Sequence, residues 1–294
     1  MSRSTSAKFS LILGAVIFGT LGGFSRFVTL PTTVTTMIRG IVAASFLLLV
    51  LRLRGKKPDI QAIKKNFVLL AAGGLLLATA MITLFEAFKC MSVAAATMFY
   101  NLAPVIYVGL SPVLFGEKLT GKKIFCIITA FLGVILVSNL IESGLPTSLE
   151  EAKGIIFGLG CAASYSALII LNKRLKGVPA FDKTIVQLAV LGIALIPVNL
   201  LSGAMVGIKF EPLSTVMLFV ICIVHTGIAY LCYFGSLEHL PANTAALLTY
   251  VDPVVAVLMS AFILHEPMTL LNVLGVVMIL GSALISEMPS KKKN

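Results

Sequence analysis

Apolar residues dominate this chain in runs of about 20 positions, the length at which a helix rising 1.5 Å per residue crosses a bilayer core. The short segments between the runs collect most of the lysines, arginines and acidic residues. Ten such runs predict ten membrane-spanning helices, over residues 9–29, 33–53, 67–88, 93–115, 124–140, 154–171, 184–201, 213–234, 242–264 and 270–285. The first run is too long for a secretory leader, lacks a small-residue cleavage site and is followed by nine more. The expected fold class is therefore all-α and integral to a membrane, with the lipid bilayer as the chain's main surroundings.

Composition narrows the picture. Of 294 residues, 58% are apolar and 12% charged, against about 45–50% and about 25% in soluble domains, so a soluble globular protein is excluded. Five cysteines, mostly inside apolar runs and without metal-ligand spacing, read as small packing residues. No metal and no cofactor is expected.

The net charge of +11 does not point to nucleic acid, which would need a basic face on a water-soluble fold. It follows the connecting segments instead. With the N-terminus inside, 18 of the 23 basic residues fall in cytoplasmic segments, whereas Arg26, Lys89, Lys153 and Lys209 fall outside and Arg39 lies within a span. That asymmetry places both termini in the cytoplasm of a multi-pass cell-membrane protein.

The two halves of the chain resemble each other. A constant shift of 149 residues pairs Ala80 with Ala229, Phe85 with Phe234, Ala96 with Ala245, Pro104 with Pro253 and Val105 with Val254. The same shift pairs Val108 with Val257, Ser111 with Ser260, Glu117 with Glu266 and Thr120 with Thr269. A shared proline, glutamate and threonine in one register indicate duplication of a five-helix unit. The predicted organisation is a first repeat over 1–141, an external linker over 142–153, a second repeat over 154–288 and a basic cytoplasmic tail over 289–294. Five is odd, so the second copy enters from the opposite side. Two inverted repeats are an architecture of secondary transporters, whose solute site lies near the midplane between them.

Leu102-Ala103-Pro104-Val105 followed by Gly116-Glu117-Lys118-Leu119-Thr120, and Val251-Asp252-Pro253-Val254 followed by His265-Glu266-Pro267-Met268-Thr269, resemble the paired signatures of the drug/metabolite transporter superfamily, EamA type. The resemblance implies ten helices around a central cavity lined by helices 1 to 4 and 6 to 9, alternating access, and export of amino acids or other metabolites. One departure is Asp252, where many relatives carry glutamate.

Few polar residues lie where topology alone does not explain them. Asp252 falls near the middle of helix 9, beside Tyr250, and an intramembrane carboxylate is a functional candidate by default. His225 falls at similar depth on helix 8, where α-helical spacing puts Cys222, Ala229 and Cys232 on its face. Asp252 and His225 are candidates for proton coupling, and a shared proton is expected if both face one cavity. Pro104 and Pro253 each free a carbonyl four residues earlier, so helix breaks are expected beside Tyr100, Asn101 and Tyr250. Tyr165 and Tyr230 join these as candidate solute contacts, and Asn172 and Gln187 are weaker ones. Arg39 is expected to pair with Glu86 as a structural or gating ion pair, with Arg26 nearby at the outer interface. Glu117 and Glu266 read as connector residues at helix ends.

The function expected is secondary transport of a small solute, with export of an amino acid or similar metabolite as the first reading and efflux of amphipathic cations as the alternative. An intramembrane enzyme would need a motif such as His-Glu-x-x-His or Gly-x-Ser-x-Gly, and neither occurs. A channel would need a ring of charges or carbonyls, and ATP-driven transport a phosphate-binding loop that the chain lacks. The chain is expected to work as a monomer or a homodimer.

Overall fold

The structure is a computed structural model that describes residues 3–116, 120–137, 148–237, 239–240 and 242–287. Every regular element among these residues is helical. In order they are α1 (Arg3–Ser25), α2 (Thr32–Leu53), the short α3 (Ile60–Lys65), α4 (Phe67–Cys90), α5 (Val93–Tyr100), α6 (Ala103–Phe115), α7 (Gly121–Val137), α8 (Leu149–Arg174) and α9 (Ala180–Leu201). α10 (Pro212–Val220) continues through a π-helical segment, Ile221–Ile228, into α11 (Ala229–Leu237). α12 (Ala242–Thr249) and α13 (Val251–Leu258) follow, a second π-helical segment spans Met259–Ile263, and α14 is Leu270–Glu287.

Seven helical runs among the described residues are long and apolar enough to cross a membrane: Thr5–Ser25, Thr32–Leu53, Phe67–Cys90, Val93–Phe115, Leu149–Arg174, Ala180–Leu201 and Pro212–Ser236. Val251–Ile263 and Leu270–Ile285 are shorter apolar helices. Two of the three runs missing from this count have a local cause, and the third, Leu270–Ile285, is as short as predicted. The run predicted over 242–264 is interrupted at Tyr250, and the last three residues of the run predicted over 124–140 lie outside the described residues.

The start of α8 follows its cap. Ser148 Oγ accepts from Glu151 N at 3.2 Å, so α8 begins at Leu149, five residues before the predicted start. Glu150 and Glu151, expected in the linker, instead form its first turn, where negative charge meets the positive end of the helix dipole. The rest of that linker up to residue 147, and the tail over 289–294, lie outside the described residues.

The helices pack in a recurring pattern. α2 lies along α9 and α7 along α14. α4 lies along α8 as α1 lies along α11, and α6 meets α8 as α13 meets α1. These contacts map onto themselves when α1, α2, α4, α5–α6 and α7 are exchanged with α8, α9, α10–α11, α12–α13 and α14. Both self-paired crossings are built on reciprocal glycines. A Cβ on Gly40 would lie 2.8 Å from Gly192 N, and one on Gly192 would lie 2.8 Å from Ile41 N. A Cβ on Gly133 would lie 2.8 Å from Gly275 O, and one on Gly275 would lie 2.6 Å from Gly133 O. Small residues allow backbone approach of this kind where burial of apolar surface does not by itself drive helices together.

Between α2, α4 and α9 the core is Val34, Leu47, Leu77, Leu188 and Leu191. Between α5, α7 and α14 it is Met98, Phe99, Leu102, Ala130 and Ile279. Outward faces stay apolar as well: Val68, Val113, Leu201 and Leu270 are exposed, as a lipid-facing surface requires.

Candidate functional site

Two helix interruptions stand 149 residues apart, at Asn101 and Tyr250. α5 ends at Tyr100, and α6 restarts with Pro104 in its first turn, where a missing N–H is tolerated. Asn101 closes the break from its own side: its backbone N donates to Thr97 O at 3.0 Å and its Nδ2 to the same oxygen at 2.8 Å. Its amide nitrogen is thus engaged within its own helix. α12 ends at Thr249 and α13 starts at Val251, with Pro253 buried in its first turn. Tyr250 packs against the Met98, Phe99 and Ile279 cluster.

Four residues do gather beside the breaks. The rings of Tyr100 and Tyr165 lie 4.7 Å apart between centroids, joining α5 to α8. Asp252 lies within electrostatic reach of both phenols. Tyr230 extends the group on α11, against Phe18 at 5.3 Å and stacked on Phe234 at 5.8 Å. Asp252, Tyr100, Tyr165 and Tyr230 each keep some accessible surface although they sit well inside their helical runs. Gly19 brings α1 against the Asp252 turn, since a Cβ there would lie 2.5 Å from Asp252 O. The arrangement offers a carboxyl group, phenol hydroxyls and aromatic faces to one small, half-polar solute.

Arg39 is buried on α2, at 3% exposure. Its Nε donates to Thr226 Oγ1 at 2.7 Å, and its guanidinium lies over the Phe85 ring, 5.5 Å from the centroid. Glu86 instead pairs with Lys89 at 3.0 Å, one helical turn away on the same helix. The expected Arg39–Glu86 pair is therefore corrected: Phe85 presents its ring to Arg39, and Glu86, the next residue, is carried to a different face of α4.

His225 is also separate from Asp252. Its Nε2 lies 3.0 Å from Thr20 Oγ1, its Nδ1 lies 3.4 Å from Val220 O, and its ring meets Phe24 at 4.7 Å. Both ring nitrogens thus face groups other than Asp252, and the Thr20 hydroxyl itself donates to Ile17 O at 2.9 Å. No hydrogen bond joins His225 to Asp252, so the expected proton sharing is not seen as a direct contact. The π-helical segment explains the placement, since Thr226 Oγ1 bonds Ile221 O, five residues back, and the α-helical face drawn through Cys222, Ala229 and Cys232 does not continue there.

At the end of the bundle where α1 stops, Arg26 Nη2 reaches Glu266 Oε1 at 2.6 Å and Met91 O at 3.0 Å. Glu266 Oε2 also accepts from Val93 N at 2.8 Å and from Ser260 Oγ. One carboxylate thus ties the end of α1, the start of α5 and the turn after Met259–Ile263. Beside it opens a cavity of about 240 Å³ whose lining includes Arg26, Thr32, Thr35, Phe85 and Lys89.

Sequence reasoning treated Glu266 as a connector and missed Thr226 and Thr20. Glu266 carried one usable signal, its equivalence to Glu117, but Glu117 lies outside the described residues. The weaker candidates Gln187 and Asn172 bond each other, Nε2 to Oδ1 at 2.8 Å, and so tie α9 to α8.

The sequence profile of the EamA-like transporter family matches this chain twice, over residues 5–139 and 152–288. The protein described as uncharacterized transporter YxxF of Bacillus subtilis (strain 168) is 30% identical over 280 residues, covering 94% of this chain and 88% of that protein. An uncharacterized transporter of Archaeoglobus fulgidus is 28% identical over 282 residues, 94% of each chain. The uncharacterized inner membrane transporter YicL of Salmonella typhimurium is 22% identical over 308 residues, covering 100% and 99%. A crystal structure superposes with a TM-score of 0.68 at 18% identity, covering 97% of this chain and 98% of that one, a likeness of fold.

Proposed function

The chain belongs to the EamA-like transporter family, and from that premise we propose that it is a secondary carrier for a small metabolite, an amino acid or similar solute, exported across the cell membrane by alternating access. Ten membrane-crossing segments form two inverted five-helix repeats with both termini in the cytoplasm. In this reading the ten segments are assigned to α1, α2, α4, α5–α6, α7, α8, α9, α10–α11, α12–α13 and α14. The sorting of basic residues between connecting segments supports the orientation. It puts the Arg26–Glu266 contact on the outer side.

The observation that carries the proposal is the exchange symmetry of the helix contacts together with the two interruptions that it exchanges, at Asn101 and Tyr250. Broken helices at corresponding places in two halves are where such carriers hold their solute. Asp252, Tyr100, Tyr165 and Tyr230 form the solute site, and Asp252 takes up and releases the coupling proton. Efflux of amphipathic cations is the weaker alternative, because the buried Arg39 repels a cation from the same region. Counterflow in proteoliposomes tests the reading: a solute loaded inside must accelerate entry of its own label, with no ATP present.

A further inference from the structure

Arg39 is the charge that the fold leaves without an opposite charge. At 3% exposure it lies in the apolar interior of the bundle, where an unpaired ion is costly to hold. Only Nε is engaged, by Thr226 Oγ1. Among the described residues no carboxylate lies within ion-pair distance of it, and neither Nη group has an acceptor. The sealed polar atoms without partners are the hydroxyls of Thr35, Thr36 and Ser166 and Asn199 Oδ1. The Arg39 Nη groups are not among them, so they keep some accessible surface. Tyr100 and Tyr230 lie within electrostatic reach of the guanidinium, and Tyr100 is also within reach of Asp252.

We infer that Arg39 is the anchor for the carboxylate of a transported monocarboxylate, with its two Nη groups as the binding fork. This rests on the carrier reading above and narrows it. Two parallel N–H donors match the two oxygens of a planar carboxylate, and Thr226 fixes the fork by holding Nε while Phe85 supports its plane. A single positive charge neutralises a single negative one. A dianionic phosphate would keep an uncompensated charge beside Asp252, so the site selects against it. The solute's carboxylate supplies the partner that Glu86 does not.

The test uses the full chain in proteoliposomes and counterflow of matched probes: the twenty standard amino acids, their primary amides, their deaminated acids, and glycerol phosphate. The expected result is counterflow confined to probes with a free carboxylate. Arg39→Gln should raise the KM of the best probe at least about tenfold, the scale of a charge-assisted bidentate contact. Thr226→Val should raise KM several-fold with kcat retained, and it tests the fork should Arg39→Gln not fold. Counterflow that runs equally well with the amides, or a KM unchanged in both variants, overturns the anchor and leaves the carrier reading intact. Absence of counterflow for every probe overturns both.

Discussion

Arg26 Nη2 lies 2.6 Å from Glu266 Oε1, a contact between residues 240 positions apart that binds the end of α1 to the turn before α14. The pair is partly exposed, and such a pair alone contributes about 1 kcal/mol or less. Glu266 also accepts from Val93 N and Ser260 Oγ, so its removal strands several donors at once. Glu266→Gln should open this end. Thiol labelling of a cysteine placed at Thr35, which lines the adjacent cavity, is expected to speed up several-fold. Labelling unchanged from the parent protein carrying the same cysteine would argue against a closure here.

In the proposed function Asp252 carries the proton coupling. Asp252→Asn keeps size and hydrogen-bonding capacity and removes the titratable group. Exchange of solute at equal pH should persist within a few-fold, whereas accumulation driven by a pH gradient should disappear. Accumulation that survives the substitution would assign coupling elsewhere.

His225 is a packing residue in this account. His225→Phe loses the contacts to Thr20 and Val220, and Thr20 keeps its bond to Ile17 O at 2.9 Å. The expected cost is about 1–2 kcal/mol of stability, seen as a lower melting temperature, with the pH profile of transport unchanged. A displaced pH profile would return His225 to the coupling machinery.

Gly133 and Gly275 set the separation of α7 and α14. Gly133→Val drives methyl groups into the Gly275 carbonyl and Ile279, and overpacking of this kind costs about 1–3 kcal/mol. Thermal stability should fall while the KM of the surviving protein stays as it was, because neither helix contributes a residue to the group of Asp252, Tyr100, Tyr165 and Tyr230. Gly40→Val strikes the α2–α9 crossing, one residue from Arg39, and there KM should change as well.

The sequence made the coarse features legible for physical reasons. Runs of apolar residues can satisfy their backbone in lipid only as helices, so the all-helical class follows from hydropathy. Pro104 and Pro253 lack the N–H that continues a helix, and the chain is interrupted at Asn101 and Tyr250 just ahead of them. The details that failed depend on side-chain direction. α-Helical spacing cannot foresee the π-helical turns at Ile221–Ile228, which put Thr226 beside Arg39 and His225 beside Thr20. Depth alone suggested Glu86 for Arg39, yet α4 turns Phe85 toward it. Ser148 shows the same limit at a helix end, where a cap drew residues expected in a linker into α8.

The most direct test of the central claim is ATP-free counterflow with the purified full chain, using the amino-acid, amide and deaminated-acid panel at two pH values. The account predicts saturable uptake of at least one solute that speeds up when the same solute is preloaded, as a carrier with alternating access requires. Uptake that rises linearly with concentration and ignores preloading, or the absence of uptake for every solute, would contradict it.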